Sequence, residues 1–596
     1  MWITLSKLRF ISAASTARFR AVQALFVVLG GAVVLVAGAV PSRAAGLSVC
    51  VTKLQNQVVQ SFAKVTKSEI VAAANGLPQH CSVIGTTGAG NRRNIRFNLR
   101  MPTRNWNGKF FFQGGAGTDG FLNDAVGKLQ GNQEGTALGH NYAVVSTDSG
   151  HNSESLPTIS TNIFGLFNVV TEFGRDYELR VDYGYRAIEL VTIVAKALIN
   201  DYYGSPPEKS FFVGCSNGGR SAFEAAVRFS SEFDGILAGA PAIAIANQIM
   251  QAADDAKILA SFSWWPGLPG KAFSRNEMRM VAQTVRTQCD ELDGVADNYV
   301  ADWKRCQEVF NPEVMLCTDW QISPVCLDSS KLTALKKMIA GVKTSAGTPV
   351  YAPFAWDPGL GTTDLFSSWS TWRLRSFSGF LAGWYPYPIM SWLGGGMLAE
   401  VISTPPLPFD GTSGDAFRFL KAYNIDTGYA NLTVTNTIFL KSAQELYNVP
   451  DPTTSLAAFR DRGGKMMVFT GSADPTVSVH HIVNWYNGLT EQDTKAGKHT
   501  TNYARLYVIP GMNHCSGGPA TDKFDLFSAL EQWVDKPAEQ PKTVIASVAN
   551  GNDDFPKELM STSMQRPLCA YPSVARFAPV PNSPYDIVSA KNFVCK

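Results

Sequence analysis

Two short stretches hold residues that could do chemistry together. Gly214-Cys215-Ser216-Asn217-Gly218 has the form G-x-S-x-G. Small flanking residues let such a serine sit at the tip of a sharp strand-to-helix turn. Far downstream, Gly511-Met512-Asn513-His514-Cys515 offers a histidine. A serine hydroxyl becomes a useful nucleophile once an adjacent base takes its proton. Each candidate is next to a cysteine. Bonded cysteines have Cα atoms about 4.4–6.8 Å apart. A Cys215–Cys515 bond would therefore bring Ser216 and His514 within hydrogen-bond reach, about 2.6–3.2 Å.

A nucleophile of this kind needs an acid and a base in the chain order Ser…Asp/Glu…His. The chain has seven histidines. His80, His140 and His151 precede the serine. His480 and His481 open a helix-like segment, and His499 lies in a polar stretch. His514 follows an apolar strand-like run ending at Ile509, where the histidine loop belongs. The acid should follow the preceding strand, and Asp474 in Phe469-Thr470-Gly471-Ser472-Ala473-Asp474-Pro475 does so. Asp522 and Asp525 are the alternatives, but they come after the histidine. An oxyanion needs preset N–H donors. Asn217 would supply one and the glycine-rich loop Gln113-Gly114-Gly115-Ala116-Gly117 the other.

The elements around these residues read as an α/β fold. Ile95–Arg100 alternates apolar and polar residues at the period of a half-buried strand. Lys109–Phe112, Tyr142–Thr147, Ser210–Val213 and Gly235–Pro241 read as further strands, with helical spacing over Tyr185–Tyr203 and Gly219–Phe229. The pattern returns at Lys465–Thr470 and Ala504–Ile509, followed by a helix near Phe524–Trp533. Alternating strands and helices predict a mainly parallel sheet with helices on both faces. That is an α/β-hydrolase fold split by a large insertion. The expected domains are 45–242 with 456–596 as the catalytic part, and 243–455 as a folded lid, since connections that long are rarely structureless.

Residues 1–44 read as a leader. Lys7, Arg9, Arg18 and Arg20 precede an apolar run from Ala24 to Val40, and Ser42-Arg43-Ala44 ends in small residues. Either a cleaved secretory signal or an uncleaved anchor fits, and the small residues favour cleavage. The leader holds five of the 52 basic residues, Arg43 included, leaving 47 against 49 acidic ones. No basic patch argues for nucleic acid. Ten cysteines fit an oxidising compartment, secreted or periplasmic, without stable membrane association after cleavage.

A second cluster lies in the insertion. Cys289-Asp290-Glu291-Leu292-Asp293-Gly294-Val295-Ala296-Asp297-Asn298-Tyr299 crowds carboxylates into a short loop. It reads either as a solvated acidic turn or as a hard-cation site, because Ca²⁺ takes carboxylate and carbonyl oxygens. No histidine is nearby, which disfavours a transition metal.

Taken together, Gly-Cys-Ser-Asn-Gly-Gly-Arg at 214–220, the stretch from Pro510 to Pro519, and the aspartate loop after Cys289 resemble the tannase and feruloyl esterase family. The resemblance implies a Ser216–His514–Asp474 triad with Gly117 and Asn217 as oxyanion donors. It implies structural Ca²⁺ held by Asp290, Asp293, Val295, Asp297 and Tyr299. It also implies the pairs Cys50–Cys81, Cys215–Cys515, Cys289–Cys306, Cys317–Cys326 and Cys569–Cys595. The substrate would be a small aromatic ester, with Trp372, Phe380 and Trp384 around its acyl group. Members that cleave terephthalate monoesters grip the free carboxylate with a lid arginine. The corresponding stretch here, Phe377 to Trp392, has none, and Arg373 and Arg375 lie upstream. Feruloyl- or galloyl-type esters are therefore the expected substrates. A terephthalate monoesterase, a peptidase and a non-catalytic binding protein are the alternatives.

Overall fold

A computed structural model describes residues 48–596, apart from 91, 93, 153–170, 264–268, 319–322, 365–366, 375–386, 410, 412, 452–455, 553, 559 and 582–585. The leader, Phe380, Trp384 and Arg375 lie outside the described residues.

A ten-stranded sheet organises the chain. Its strands are β1 (Val58–Val59), β2 (Ala63–Val71), β3 (His80–Thr87), β4 (Ile95–Pro102), β5 (Lys109–Gln113), β6 (Ala143–Thr147), β7 (Lys209–Cys215), β8 (Gly235–Gly239), β9 (Lys465–Gly471) and β10 (Ala504–Ile509). Their order is β1-β2-β3-β4-β6-β5-β7-β8-β9-β10. The block from β6 to β10 is parallel. The edge from β1 to β4 is antiparallel and joins β6 antiparallel. The sheet is thus more mixed than the alternating pattern predicts. β2 and β3 run into each other without a helix, so the α/β signal does not announce them.

The parallel strands follow the logic of a sheet covered on both faces. β8 and β9 are buried along their whole length, and their sequences GILAG and KMMVFTG are nearly continuous apolar runs. Helix Ala187–Tyr203 buries Val191, Val194, Ala195 and Leu198 on one stripe and stops at Gly204, whose left-handed φ of 79° ends it. The chain order reverses between β5 and β7, with β6 on one side and β8 on the other. Open α/β sheets bind ligands outside the carboxyl ends of strands at such a switch point.

Between β8 and β9 the chain inserts a long helical segment. Helix Arg275–Cys289 starts at a capping box in which Ser274 and Glu277 satisfy each other's backbone N–H, and ends at the acidic turn. The insertion is not loosely hung. Asp357 Oδ2 accepts from Ser472 Oγ at 2.6 Å, and Trp369 Nε1 donates to Ala473 O at 2.7 Å. Both contacts land on the β9 exit. Residues 43–596 belong to one compact unit. Among the described residues no helix is long and apolar enough to cross a membrane.

Candidate active site

Ser216 follows β7 directly, with φ 63° and ψ −124°. This is a costly backbone for a residue with a side chain, and it persists because the surroundings fix it. Ser216 N donates to Gly239 O on β8, and its carbonyl accepts from Arg220 N. The glycines are obligatory here. A Cβ on Gly214 would sit 2.6 Å from the Gly218 backbone, and one on Gly218 would sit 2.5 Å from Gly115 O.

His514 Nε2 lies 2.9 Å from Ser216 Oγ, and His514 Nδ1 lies 2.8 Å from Asp474 Oδ2. Asp474 is 2% exposed and His514 8%. The other carboxylate oxygen, Asp474 Oδ1, accepts from Thr476 N, Val477 N and Thr476 Oγ1. Thr476 Oγ1 also lies 2.9 Å from His514 Nδ1. The insertion reaches the histidine itself, where His514 N donates to Ser367 O at 3.3 Å. This arrangement can take a proton from Ser216 and hold the resulting imidazolium against a buried carboxylate. Asp522 and Asp525 serve other ends: Asp522 accepts from Gly517 N and Asn552, while Asp525 caps helix Leu526–Asp535.

Asn217 opens helix Asn217–Arg228, so its backbone N–H has no partner one turn earlier. Gly117 has φ 58° and open space where a Cβ would point. Behind them lies a buried polar network. Asn217 Nδ2 donates to Asp119 Oδ1 at 2.8 Å, and Asn217 Oδ1 accepts from Arg220 Nε at 2.8 Å and Tyr183 Oη at 3.3 Å. Burial pushes the Asp119 carboxyl up to about 6, opposed by hydrogen bonds from Ser149 and Asn217 and by the Arg220 charge.

All five expected disulfides are present. Cys215 and Cys515, with Cα atoms 6.1 Å apart, fasten the serine turn to the histidine loop.

A family model described as tannase and feruloyl esterase matches residues 81–595. The chain belongs to the tannase and feruloyl esterase family. It is 35% identical over 570 residues to the mono(2-hydroxyethyl) terephthalate hydrolase of Piscinibacter sakaiensis, covering 90% of this chain and 88% of that one. It is 26% identical to a probable feruloyl esterase B-2 of Aspergillus flavus, with 82% and 83% covered. The fold matches that of feruloyl esterase B from Aspergillus oryzae at TM-score 0.67 and 21% identity, covering 93% of this chain and all of that one. This is an α/β-hydrolase-type fold, and the protein is a carboxylic ester hydrolase.

In this esterase Trp372 stands edge-on to His514, ring centroids 5.4 Å apart. Arg373 is the next residue. It is fully buried, with Nε and Nη2 each 2.7 Å from the Asp255 carboxylate. Nη2 also donates to Met338 O, while Nη1 is buried without a hydrogen-bond partner.

The acidic loop folds as a short helical turn, Asp290–Asp293, closed by Gly294 at φ 103°. Asp290, Asp293 and Asp297 each accept a backbone N–H from within the loop. Asp297 also pairs with Arg566. Asp293 Oδ2 is buried without a hydrogen-bond partner. Its carboxyl is pushed up to about 8 by burial and by the Asp297 charge. An orphaned carboxylate oxygen among hard donors suits a hard cation. Among the described residues no three His, Cys, Asp or Glu side chains form a metal-holding group by themselves. A cation here would need the carbonyls of Val295 and Tyr299. Tyr299 also reaches the histidine loop, its Oη donating to Pro510 O at 3.2 Å.

Sequence reasoning missed Thr476, Asp119, Tyr183 and Arg220. Arg220 and Asp119 were visible beside glycines, in Gly218-Gly219-Arg220 and Gly117-Thr118-Asp119-Gly120. A charged residue flanking a glycine-rich functional loop is a usable signal. Tyr183 and Thr476 carry none.

Proposed function

We propose that this protein is a secreted serine carboxylesterase acting on esters of aromatic acids of the feruloyl or galloyl type. The observation that carries the reading is the continuous line Ser216 Oγ–His514 Nε2, Nδ1–Asp474 Oδ2, at 2.9 and 2.8 Å. Ser216 attacks the ester carbonyl as His514 takes its proton. The tetrahedral oxyanion is received by the N–H groups of Gly117 and Asn217, assisted by the positive end of helix Asn217–Arg228. His514 then protonates the leaving alcohol, and an acyl-enzyme remains. Water, activated by the same histidine, releases the acid. Asp474 keeps the imidazole in the productive tautomer and stabilises its charged form.

Trp372 supplies an aromatic wall beside the base, and Phe380 and Trp384 are assigned to the same acyl pocket. The relative named for a terephthalate monoester raises a second substrate. The Arg373–Asp255 pair weighs against it, because that guanidinium is fully buried and its charge is already matched by one carboxylate. The leader and five disulfides support export to an oxidising compartment. Asp290, Asp293, Asp297, Val295 and Tyr299 are assigned to a structural Ca²⁺, which would neutralise the crowded carboxylates.

The test is turnover of methyl ferulate, a gallate ester, a terephthalate monoester and a peptide by wild type and Ser216→Ala. The variant should lose aryl-ester turnover by roughly 10³-fold or more. Near-normal turnover in the variant rejects the serine mechanism. Preference for the anionic monoester rejects the substrate assignment.

A further inference from the structure

The two N–H groups assigned to the oxyanion belong to different segments. Gly117 lies in the loop after β5, and Asn217 opens the helix after β7. The strands themselves are in register as far as Gln113 opposite Val213, and Gly114 N still donates to Val213 O. Beyond that point the ladder ends, and although Gly114 and Gly115 still pack against Gly218, the rest of the loop leaves the sheet. The loop from Gly114 to Gly120 contains left-handed residues at Gly117, Asp119 and Gly120. Such a loop has many alternative conformations open to it. Yet oxyanion donors work only when preset to a fraction of an ångström.

One carboxylate ties the far part of the loop to the helix. Asp119 is the penultimate residue of the loop and is 5% exposed. Its Oδ1 accepts from the side chain of Asn217, itself 2% exposed, at 2.8 Å. Its Oδ2 accepts from Ser149 Oγ at the exit of β6. Its own N–H closes the turn onto Ala116 O. The loop wraps this carboxylate so tightly that a Cβ on Gly115 would meet Asp119 Oδ2 at 2.6 Å. On the other side the Asn217 amide is locked by Arg220, whose guanidinium also donates to the carbonyls of Tyr183 and Gly184. Tyr183 Oη stands between the two segments, 3.3 Å from Asn217 Oδ1 and 3.5 Å from Gly117 O.

A buried carboxylate costs stability unless its bonds repay it. Here each of its oxygens is bonded to a different neighbouring segment. We propose that Asp119 is a positioning residue: through the Asn217 side chain it fixes the separation of the Gly117 and Asn217 N–H groups that receive the oxyanion. This rests on the serine-esterase reading above. Asp119 touches no reacting atom, and it acts through the backbone it holds.

The experiment compares Asp119→Ala, Asp119→Asn and Asn217→Ala with wild type on methyl ferulate, and times labelling of Ser216 by an aryl phosphonate. Loss of one oxyanion donor costs about 10²–10³-fold in kcat, so misplacing one should cost D119A roughly 10–10²-fold. KM should stay within about twofold, and phosphonate labelling should slow in parallel. D119N keeps an oxygen to accept from Asn217 and should recover most of kcat. N217A severs the same link from the other end. It should resemble D119A, and the double variant should lose little more. Wild-type kcat in D119A or N217A overturns the proposal. So does a D119N variant that folds but is no better than D119A. If D119A does not fold, N217A and D119N decide by the same criteria. Turnover persisting in S216A would instead overturn the underlying reading.

Discussion

Ser216 Oγ and His514 Nε2 are 2.9 Å apart although 298 residues separate them in the chain. Most of that interval is the helical insertion, so the two side chains meet across a whole inserted segment. The insertion also contributes to the meeting. Ser367, Trp369 and Asp357 hydrogen-bond to the histidine loop and the β9 exit. It thereby ties down the loops that carry His514 and Asp474.

Breaking the Cys215–Cys515 bond should uncouple activity from the fold. The double variant Cys215→Ser/Cys515→Ser is expected to lose kcat by about tenfold or more at temperatures well below its melting point. Its Tm should also fall, consistent with about 2–4 kcal/mol lost from a long closed loop. Unchanged kcat with a lower Tm would make the bond a stability device alone.

Arg373→Met should be a folding lesion without a specificity change. It leaves Asp255 buried and uncompensated, a loss of about 3–5 kcal/mol in urea unfolding. The ratio of kcat/KM for a terephthalate monoester to that for its neutral methyl ester should not move. A selective fall for the anionic ester would put Arg373 in the substrate site.

His151 should contribute a slope to the acid side of the stability curve. It is buried against Phe173, ring centroids 4.0 Å apart, and burial lowers its pKa to about 3 from 6.5. Between those values the unfolded chain binds a proton that the folded chain does not. Stability from this group therefore falls as pH drops from about 6.5 towards 3. Asp119 and Asp148, both pushed up to about 6 mainly by burial, act in the opposite sense, losing stability as pH rises through about 4–6. Comparing Tm against pH for wild type and His151→Phe removes that opposing background. The variant should be the less acid-sensitive. Parallel curves would mean His151 is protonated in the fold.

Dialysis against a chelator should lower Tm by several degrees, and Ca²⁺ should restore it. Asp293→Asn should blunt both changes. A Tm indifferent to the chelator would count against a structural cation in the acidic loop.

The meeting of Ser216, His514 and Asp474 was legible because each sits at a strand exit with a local signature. Ser216 has its glycines, Asp474 follows the β9 run, and His514 is the histidine in the right place after Ile509. The parallel half of the sheet was legible for the same reason. The Asp119–Asn217 link was not, because it joins residues 98 positions apart through a loop whose shape no periodicity encodes. Arg373 shows the same limit from the other side. Its sequence position places it upstream of the stretch where a carboxylate-gripping arginine is expected, and only the structure shows its pairing with Asp255. Of the antiparallel edge β4 was legible by its alternation, whereas β2 and β3 were missed because no helix separates them to set up the alternating α/β signal.

Four of the five disulfides join cysteines that are neighbours in the cysteine order, while Cys215 must wait for Cys515. Oxidation in order of emergence would pair Cys215 with Cys289, Cys306 with Cys317 and Cys326 with Cys515. Only Cys50–Cys81 and Cys569–Cys595 would come out right. The wrong bonds are undone by thiolate attack through mixed disulfides. The yield of active enzyme should therefore be limited by isomerase supply rather than by oxidant, and a host with abundant oxidant alone would accumulate an inactive, fully oxidised protein.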